Sequence, residues 1–404
     1  MKTRYGVSPW VHEFPDARRP THPRLRGPQV ADVVIVGGGL TGCATAYACA
    51  VSGLRAIVIE AGRLGQAATG RSSGLLLPDP GASFKTIAAL HGLRATRHVF
   101  GTWRRSALDA AALIRRLGIR AGLDRADVLT VADSAAEPAL RRDAEARAAA
   151  GVEARWLKTR PARDAARLEA AGALRLSDAS IFDPYRVCLG LASAAVKRGA
   201  VFAEKTAMVK ARVSRKDVEV IIDGGSLRAP TVIVATGVPD AAFKPLRRHF
   251  ARRQTYFAMS EPVPAAIRKQ IPGASLVIRD AEMPSHRVRW TRDDRLIVGG
   301  ADQDEVPARK RDAALVQRTG QLMYELLKMY PVISGLMPAY GWDVLYGETI
   351  DGLMYIGPHR NYPRHLFALG GRESLTGSFL AARLLARAAA GGAAKGDDVF
   401  GWTR

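Results

Sequence analysis

A glycine-rich turn between a buried strand and a helix limits the possible folds of this chain more than any other feature of its sequence. Residues 33–36 are all β-branched and apolar, which is typical of a strand buried on both faces. The next six residues spell GxGxxG: Gly37, Gly38, Gly39, Leu40, Thr41 and Gly42. A small-residue helix is predicted over 40–52, and a second buried strand over 56–59. Together these segments predict a βαβ unit.

This unit has the chemistry of a dinucleotide-binding site. The first glycine permits the tight turn, the second lets the backbone approach a pyrophosphate, and the third lets the helix pack on the strand. The helix N-terminus offers free N–H groups to the phosphates. Glu60, 18 residues after Gly42, can accept both ribose hydroxyls and would repel the 2′-phosphate of NADP. FAD and NAD both remain open at this point, because they share the ADP half.

Further segments of the chain resemble a flavoprotein family. They are 70–74 (GRSSG), 183–186 (DPYR), 235–237 (ATG) and 349–357 (TIDGLMYIG). With the βαβ unit they resemble the D-amino-acid oxidase superfamily, which includes glycine, sarcosine and gamma-glutamylputrescine oxidases. Pro9 and Trp10 are similar to the leader of the putrescine-type branch. The resemblance covers nearly the whole chain and implies FAD as the cofactor, with 70–74 against the flavin.

The βαβ unit and the resemblance together give a set of expected FAD-binding residues. Besides the glycine turn and Glu60, the set contains Ala61, Arg63, Gly70, Arg71, Ser72, Ser73, Gly74, Val209, Ala235, Thr236, Gly237, Gly347, Gly370, Gly371, Arg372, Ser374, Leu375 and Thr376. The cysteine that attaches flavin covalently in monomeric sarcosine oxidase has no counterpart near Tyr346. The resemblance therefore implies non-covalent FAD.

The turn at 370–376 departs from the glycine-rich turn that such relatives usually carry, since it contains Arg372 and Glu373. These two residues are the candidate catalytic residues. Directed inward, Glu373 would favour a cationic amine and Arg372 would attract a carboxylate; directed outward, they would pair at the surface. In either case the helix N-terminus that follows the turn is expected near the flavin pyrimidine ring.

Other positions argue against a sarcosine oxidase. The lysine that promotes the oxygen reaction there falls near Ile297, and the basic residues that hold the sarcosine carboxylate fall near Leu76 and Thr376. Arg289 lies on a predicted strand and is expected on its solvated face. No metal site is expected, because the eight histidines show no ligand spacing.

The expected fold class is α/β, with a discontinuous Rossmann-like FAD-binding domain and an interleaved antiparallel-sheet substrate domain. The expected boundaries are an extended N-terminal arm over 1–29, an FAD-binding domain over 30–84, 181–243 and 346–395, and a substrate domain over 85–180 and 244–345. The charged, proline-rich arm is not typical of a secretory signal.

Charge and composition indicate which kinds of partner and environment the chain is suited to. Sixty basic against thirty-eight acidic residues give a net charge of +22, but the basic residues are scattered, which predicts a solvated surface rather than a nucleic-acid site. The apolar runs are strand-length, so no membrane insertion is expected. The three cysteines have no paired spacing and predict buried thiols in a reducing cytoplasm.

The expected function is FAD-dependent oxidation of the C–N bond of a small-molecule amine or amino acid to an imine, by hydride transfer to flavin. The electron acceptor is oxygen or another molecule. One alternative is a flavin-binding dehydrogenase subunit of a larger complex that passes electrons to a non-oxygen acceptor. Others are a catalytically weak flavoprotein and an RNA-modifying flavoprotein, the last suggested by charge alone.

Overall fold

The structure is a computed structural model that describes residues 2–282, 285–372 and 374–404, without the side chain of residue 374. The strands are β1 (Arg4–Tyr5), β2 (Gly27–Val30), β3 (Val33–Val36), β4 (Ala56–Ile59), β5 (Leu75–Leu76), β6 (Asp124–Ala132), β7 (Arg155–Lys158), β8 (Gly172–Ile181), β9 (Val201–Ala203), β10 (Met208–Val213), β11 (Val218–Ile222), β12 (Gly225–Ala229), β13 (Thr231–Gly237), β14 (Ala251–Ser260), β15 (Leu276–Asp280), β16 (Arg287–Trp290), β17 (Leu296–Asp304), β18 (Pro338–Glu348), β19 (Tyr355–His359) and β20 (Tyr362–Leu369). The helices are α1 (Pro9–His12), α2 (Leu40–Val51), α3 (Phe84–Arg116), α4 (Glu137–Ala149), α5 (Thr159–Ala166), α6 (Pro184–Val196), α7 (Ala265–Arg268), α8 (Arg311–Met329) and α9 (Ser374–Ala389).

A six-stranded sheet forms the nucleotide-binding half of the molecule. Its strand order is β19-β20-β13-β3-β4-β9, and all neighbours are parallel except β19 and β20. Val33 and Ile35 of β3 pack under the helical layer of α2, α3, α6 and α9, whereas Val34 and Val36 pack on the other face. That face is covered by the small sheet β10-β11-β12-β2. Burial on both faces explains why β3 and β4 are uninterrupted apolar runs.

A ten-stranded sheet forms the second half. Its order is β1-β18-β14-β17-β16-β15-β6-β8-β5, with β7 beside β8. Most neighbours are antiparallel as expected, but β1 with β18 and β15 with β6 are parallel, so the sheet is mixed. Helix α8 covers one face through Leu315, Leu322 and Leu326. The other face carries Phe257 and Trp342.

The predicted α/β class with a discontinuous Rossmann-like half is confirmed. Every strand of the six-stranded sheet falls within 30–84, 181–243 or 346–395. Helix α3 begins the stretch assigned by sequence to the substrate domain, yet it packs on the helices of the nucleotide-binding half and kinks at Gly92 (φ +78°). The boundaries themselves remain a prediction. Among the described residues, no helix is long and apolar enough to cross a membrane.

The N-terminal arm is not simply extended, which corrects the sequence-based expectation. Strand β1 pairs with β18, helix α1 follows a capping serine, Ser8, and β2 pairs with β12. The arm therefore spans both halves of the molecule. Its proline content hid these short elements, because Pro9 occupies the first helical turn, where proline is tolerated.

Candidate functional site

The glycine turn after β3 has the close approaches that its sequence predicts. Gly37 has a φ of +109°, and a Cβ there would lie 2.6 Å from the Ala235 carbonyl oxygen. A Cβ on Gly42 would overlap the carbonyl oxygen of Gly37. These glycines let α2 and β13 pack directly against the turn, so the phosphate-binding geometry of the βαβ unit is present.

Two side chains hold this turn in place. Glu60, just past β4, accepts N–H groups from Gly38 (2.7 Å) and Gly62 (2.8 Å). Thr69 Oγ1 accepts the N–H of Leu40 at 2.8 Å, at the first residue of α2. The Leu40 N–H is therefore already bonded. Thr69 was missed by sequence reasoning, because it lies 29 residues from Leu40 and in no recognised motif.

The second glycine-containing motif, 70–74, is held by the N-terminal arm. Ser8 Oγ donates to the Gly70 carbonyl, and Trp10 Nε1 donates to the Ser72 carbonyl at 3.0 Å. Arg71 turns away from the glycine turn, because its guanidinium contacts Asp343 Oδ1 at 3.0 Å and the arm at the Gly6 carbonyl at 2.7 Å. The role of the Arg71 side chain is therefore to join the arm to β18.

A cavity lies where the predicted segments meet the large sheet. Its walls are formed by Ala68, Ser72, Ser73, Leu75, Thr236, Gly237, Val238, Thr255, Phe257, Ser285, Arg287, Gly299, Gly300, Val344, Leu345, Tyr346, Gly347, Gly370, Gly371, Arg372 and Leu375. Nine of these are predicted FAD-binding residues: Ser72, Ser73, Thr236, Gly237, Gly347, Gly370, Gly371, Arg372 and Leu375. The cavity thus joins segments that are up to 307 residues apart (68 to 375).

The turn before α9 closes one end of this cavity. The N–H of Gly370 donates to Gly237 (2.8 Å) and that of Gly371 donates to Gly347 (2.9 Å), which ties β13 and β18 to the turn. Both turn glycines have positive φ, +80° and +90°. A Cβ on Gly370 would meet Phe250 at 2.6 Å. These two positions therefore require glycine even though the rest of the turn departs from the family pattern.

Arg372 is paired inside the cavity. Its Nη2 lies 3.0 Å from Asp302 Oδ2, and its side chain is 14% exposed. Asp302 is 4% exposed and also accepts hydrogen bonds from Tyr346 Oη (2.6 Å) and Thr255 Oγ1 (2.7 Å). Burial and the neighbouring Asp302 raise the pKa of Tyr346, so its phenol stays a donor. The expected outward pairing of Arg372 with Glu373 is not tested, because Glu373 lies outside the described residues.

A β-bulge aims Asp302 into this position. In the β14–β17 pair, Gln254 opposes Gln303 and Tyr256 opposes Gly300, so two residues stand opposite Thr255. Between them, Ala301 adopts a left-handed φ of +53°, uncommon for alanine. Sequence reasoning missed Asp302, because a bulge does not show in the alternation of apolar residues.

Several predicted FAD-binding residues do not line this cavity. Val209 is 63% exposed on β10 of the small sheet, so its side chain is directed to solvent. Ala61 and Arg63 are exposed. Thr376 Oγ1 bonds both the N–H and the carbonyl of Leu77 at 3.0 Å, so this hydroxyl anchors α9 to the segment after β5.

Arg289 corrects another expectation. It was expected on a solvated strand face, but its side chain is buried, with 5% exposure. Alternation alone cannot tell which face of β16 is covered, because the covering segment is the distant arm.

The cysteines are buried as predicted, and two of them meet. Cys43 and Cys188 have Sγ atoms 3.5 Å apart, beneath the Gly38 carbonyl. The Cys188 thiol and burial raise the pKa of Cys43.

A cluster of possible metal ligands lies beside β15. Within the described ranges, Asp280, Glu282 and His286 bring ligand atoms within 4.8 Å of one another, and the hydrogen bond to Asp280 raises the pKa of His286. Exposed acidic groups commonly cluster in this way without a metal ion.

Comparison with known proteins agrees with this geometry. A family model described as FAD dependent oxidoreductase matches residues 32–388. Gamma-glutamylputrescine oxidoreductase of Escherichia coli (strain K12) is 24% identical over 370 residues, which cover 91% of this chain and 85% of that protein. Among solved structures, glycine oxidase from Geobacillus kaustophilus has a TM-score of 0.74 at 22% identity, covering 93% of this chain and 99% of its own.

A second solved structure shares the fold. L-amino acid deaminase from Proteus myxofaciens, in complex with anthranilate, has a TM-score of 0.76 at 15% identity and covers 96% of each chain. The glycine turn and Glu60 fit the ADP half of FAD, and the glycine-rich walls of the cavity fit a planar ring. The family match covers most of the sequence, and the residues present suit the cofactor. The chain therefore belongs to the DAO family of FAD-dependent oxidoreductases.

Proposed function

We propose that this chain oxidises the C–N bond of an amine or amino acid to an imine, which water then hydrolyses. The observation that carries the proposal is the cavity, where segments predicted to contact flavin face a buried cation and its partner carboxylate. When bound, FAD supplies the acceptor for the hydride. The task left to the protein is to orient the substrate and to exclude water from it.

Arg372 is the proposed anchor of a substrate carboxylate. The contact with Asp302 engages one nitrogen of the guanidinium, and an arginine has five N–H donors. The remaining donors can bind a carboxylate in two-point fashion. Asp302 is fixed by Tyr346 and Thr255, so it holds the guanidinium in one orientation. This arrangement favours amino acids over amines that lack a carboxylate.

A carboxylate probe tests the anchor without turnover. Anthranilate is the ligand in the related deaminase structure, and its binding to this protein can be followed through the flavin absorbance spectrum. Arg372→Gln should weaken anthranilate binding and raise KM for amino acids by about 10- to 100-fold, the value of a charge-assisted hydrogen bond of about 1.5–3 kcal/mol. Equal affinity for anthranilate in the variant and the unchanged protein would contradict the anchor.

The reaction itself is tested with a panel of amines and amino acids, assayed with oxygen and with an artificial dye acceptor. The proposal expects ammonia or an amine and a carbonyl product with at least one acceptor. Flavin-containing protein that yields neither product from any member of the panel would contradict it.

One observation favours a dehydrogenase over an oxidase. The resemblance puts the oxygen-promoting lysine of sarcosine oxidase near Ile297, and Ile297 is apolar and buried (2% exposed). If the protein is a dehydrogenase, the dye should support turnover and oxygen should not. Faster turnover with oxygen than with any dye would exclude it.

A further inference from the structure

Arg289 is a buried cation that the proposed substrate site does not use. Its Nε donates to the Ser73 carbonyl at 2.7 Å and its Nη1 donates to the Trp290 carbonyl at 3.2 Å. Nη2 is buried, with no hydrogen-bond partner among the described residues. Within the same described residues no carboxylate lies at ion-pair distance from Arg289. A buried charge without a counter-charge is unfavourable, so its presence requires an explanation.

The sheet register places Arg289 on the face of the large sheet that borders the cavity, while its own side chain lines a neighbouring pocket beside Trp10. On the antiparallel strands β16 and β17, Arg289 is directly opposite Ile297, so both side chains project from the same face. Two residues further along β17, Gly299 opposes Phe257, which lines the cavity from that face. The guanidinium donates to the carbonyl of Ser73, which is another residue of the cavity wall.

The surrounding contacts fix the cation behind this wall. A Cβ on Gly74 would lie 2.8 Å from Arg289 Nη2, so the glycine makes room for the guanidinium. On the other side, the ring of Trp10 lies 5.1 Å from Arg289 Cζ. Trp10 also bonds the Ser72 carbonyl. The cation is therefore held between the arm and the motif that is expected against the flavin.

Nearby charges do not cancel the charge of Arg289. The carboxylate that acts on it most strongly, Asp183, forms its own pair with Arg186 at 3.1 Å. Burial lowers the pKa of Arg289 to about 10, which still leaves it charged at neutral pH. By contrast, the charge of Arg372 in the cavity is balanced by Asp302.

We propose that Arg289 is a positioning residue that acts through its electric field: fixed behind Ser73 and Gly74, it favours negative charge on the flavin ring. A hydride transfer adds negative charge to the ring, and a preorganised cation in a low-dielectric setting stabilises that charge. Because this inference rests on the proposed placement of FAD in the cavity, its test must report on bound flavin and not on turnover.

Sulfite is the probe, because it adds through its sulfur to oxidised flavin and leaves a negative charge on the ring. Sulfite affinity and flavin midpoint potential would be measured on the FAD-bound protein. Arg289→Met should weaken sulfite binding by about tenfold or more, the scale of one unit charge acting over about 10 Å at an effective dielectric of about 20, and should lower the potential. Arg289→Lys should retain affinity close to that of the unchanged protein, because it keeps the charge. Arg292→Gln removes an exposed charge of the same hairpin, paired with Asp124, and should change neither quantity.

A second pair of variants leaves Arg289 in place, in case Arg289→Met does not fold. Trp10→Glu puts a carboxylate beside the guanidinium, whereas Trp10→Gln has the same shape without charge. Sulfite should bind more weakly to the Glu variant than to the Gln variant. The inference is overturned by equal affinities within this pair, by unchanged affinity in Arg289→Met, or by equal losses in Arg289→Met and Arg289→Lys. Unchanged protein that binds no flavin would instead contradict the proposed function.

Discussion

Glu60 is the residue on which the ADP half of the proposed site depends most. Its carboxylate accepts from Gly38 and Gly62, and a carboxylate has about four lone-pair positions, so two remain for ribose hydroxyls. The same side chain therefore shapes the glycine turn and is available to the cofactor. The sequence predicted the second role from position alone, and the structure adds the first.

Glu60→Gln is expected to weaken FAD binding without altering the fold. The amide keeps the shape but loses charge-assisted hydrogen bonds worth about 1.5–3 kcal/mol, so Kd for FAD should rise by about 10- to 100-fold. The measurement is FAD titration of the apoprotein, with Glu305→Gln, an exposed partner of Arg252, as the control. An unchanged Kd would show that Glu60 does not hold the ribose.

The three thiols give a second test at this scale. Burial raises the pKa of Cys49 to about 12, and burial with the Cys188 contact raises that of Cys43, so thiolate is scarce in the native state. A disulfide reagent at about pH 8 should label no thiol of the native protein and three after unfolding. Rapid labelling before unfolding would contradict the burial of these residues.

At the scale of elements, the arm shows where sequence reasoning succeeds and where it stops. The buried strands β3 and β4 and helix α2 were predictable because their apolar patterns report burial directly, whereas the long strands β8 and β18 were not predicted. The contacts of Ser8 and Trp10 with the 70–74 motif were not, because they join short segments 62 residues apart. Thr69 was missed for the same reason, because its partner Leu40 lies in a distant segment, and Asp302 was missed because the bulge in β17 hides its direction.

Ser8→Ala tests the coupling between the arm and the 70–74 motif. The change removes the cap of α1 and the bond to Gly70, so the free energy of unfolding should fall by about 1–2 kcal/mol, and FAD should bind more weakly. The measurements are urea denaturation and FAD titration. Ser83→Ala removes a cap from α3 and should lower stability without affecting FAD binding. Equal FAD affinity in the two variants would show that the arm is uncoupled from the cofactor site.

At the scale of the whole molecule, the cavity exists because two sheets meet. The six-stranded sheet contributes the end of β13 and the turn before α9, and the large sheet contributes β14, β17 and β18. A Rossmann-like half and a second half built on an antiparallel sheet were predicted from the sequence. The mixed character of the large sheet and the position of α3 came only from the structure.

The sequence around Tyr346 predicts that the cofactor is bound without a covalent link. Purified protein should be yellow and should release FAD into the supernatant on denaturation, because Tyr346 and its neighbours offer no thiol for attachment. The measurement is the absorbance of the filtrate after acid or heat treatment. Flavin retained on the precipitated polypeptide would contradict this prediction.

We propose above that this FAD-dependent oxidoreductase takes a hydride from the carbon of a C–N bond. This proposal is tested most directly by mixing the FAD-bound protein anaerobically with amines and amino acids and recording the flavin absorbance. At least one amino acid should bleach the oxidised flavin, with one carbonyl product released for each flavin reduced, and bleaching should be slower in Arg372→Gln. Flavin that stays oxidised with every amine and amino acid, but is reduced by a substrate without a C–N bond, would contradict it.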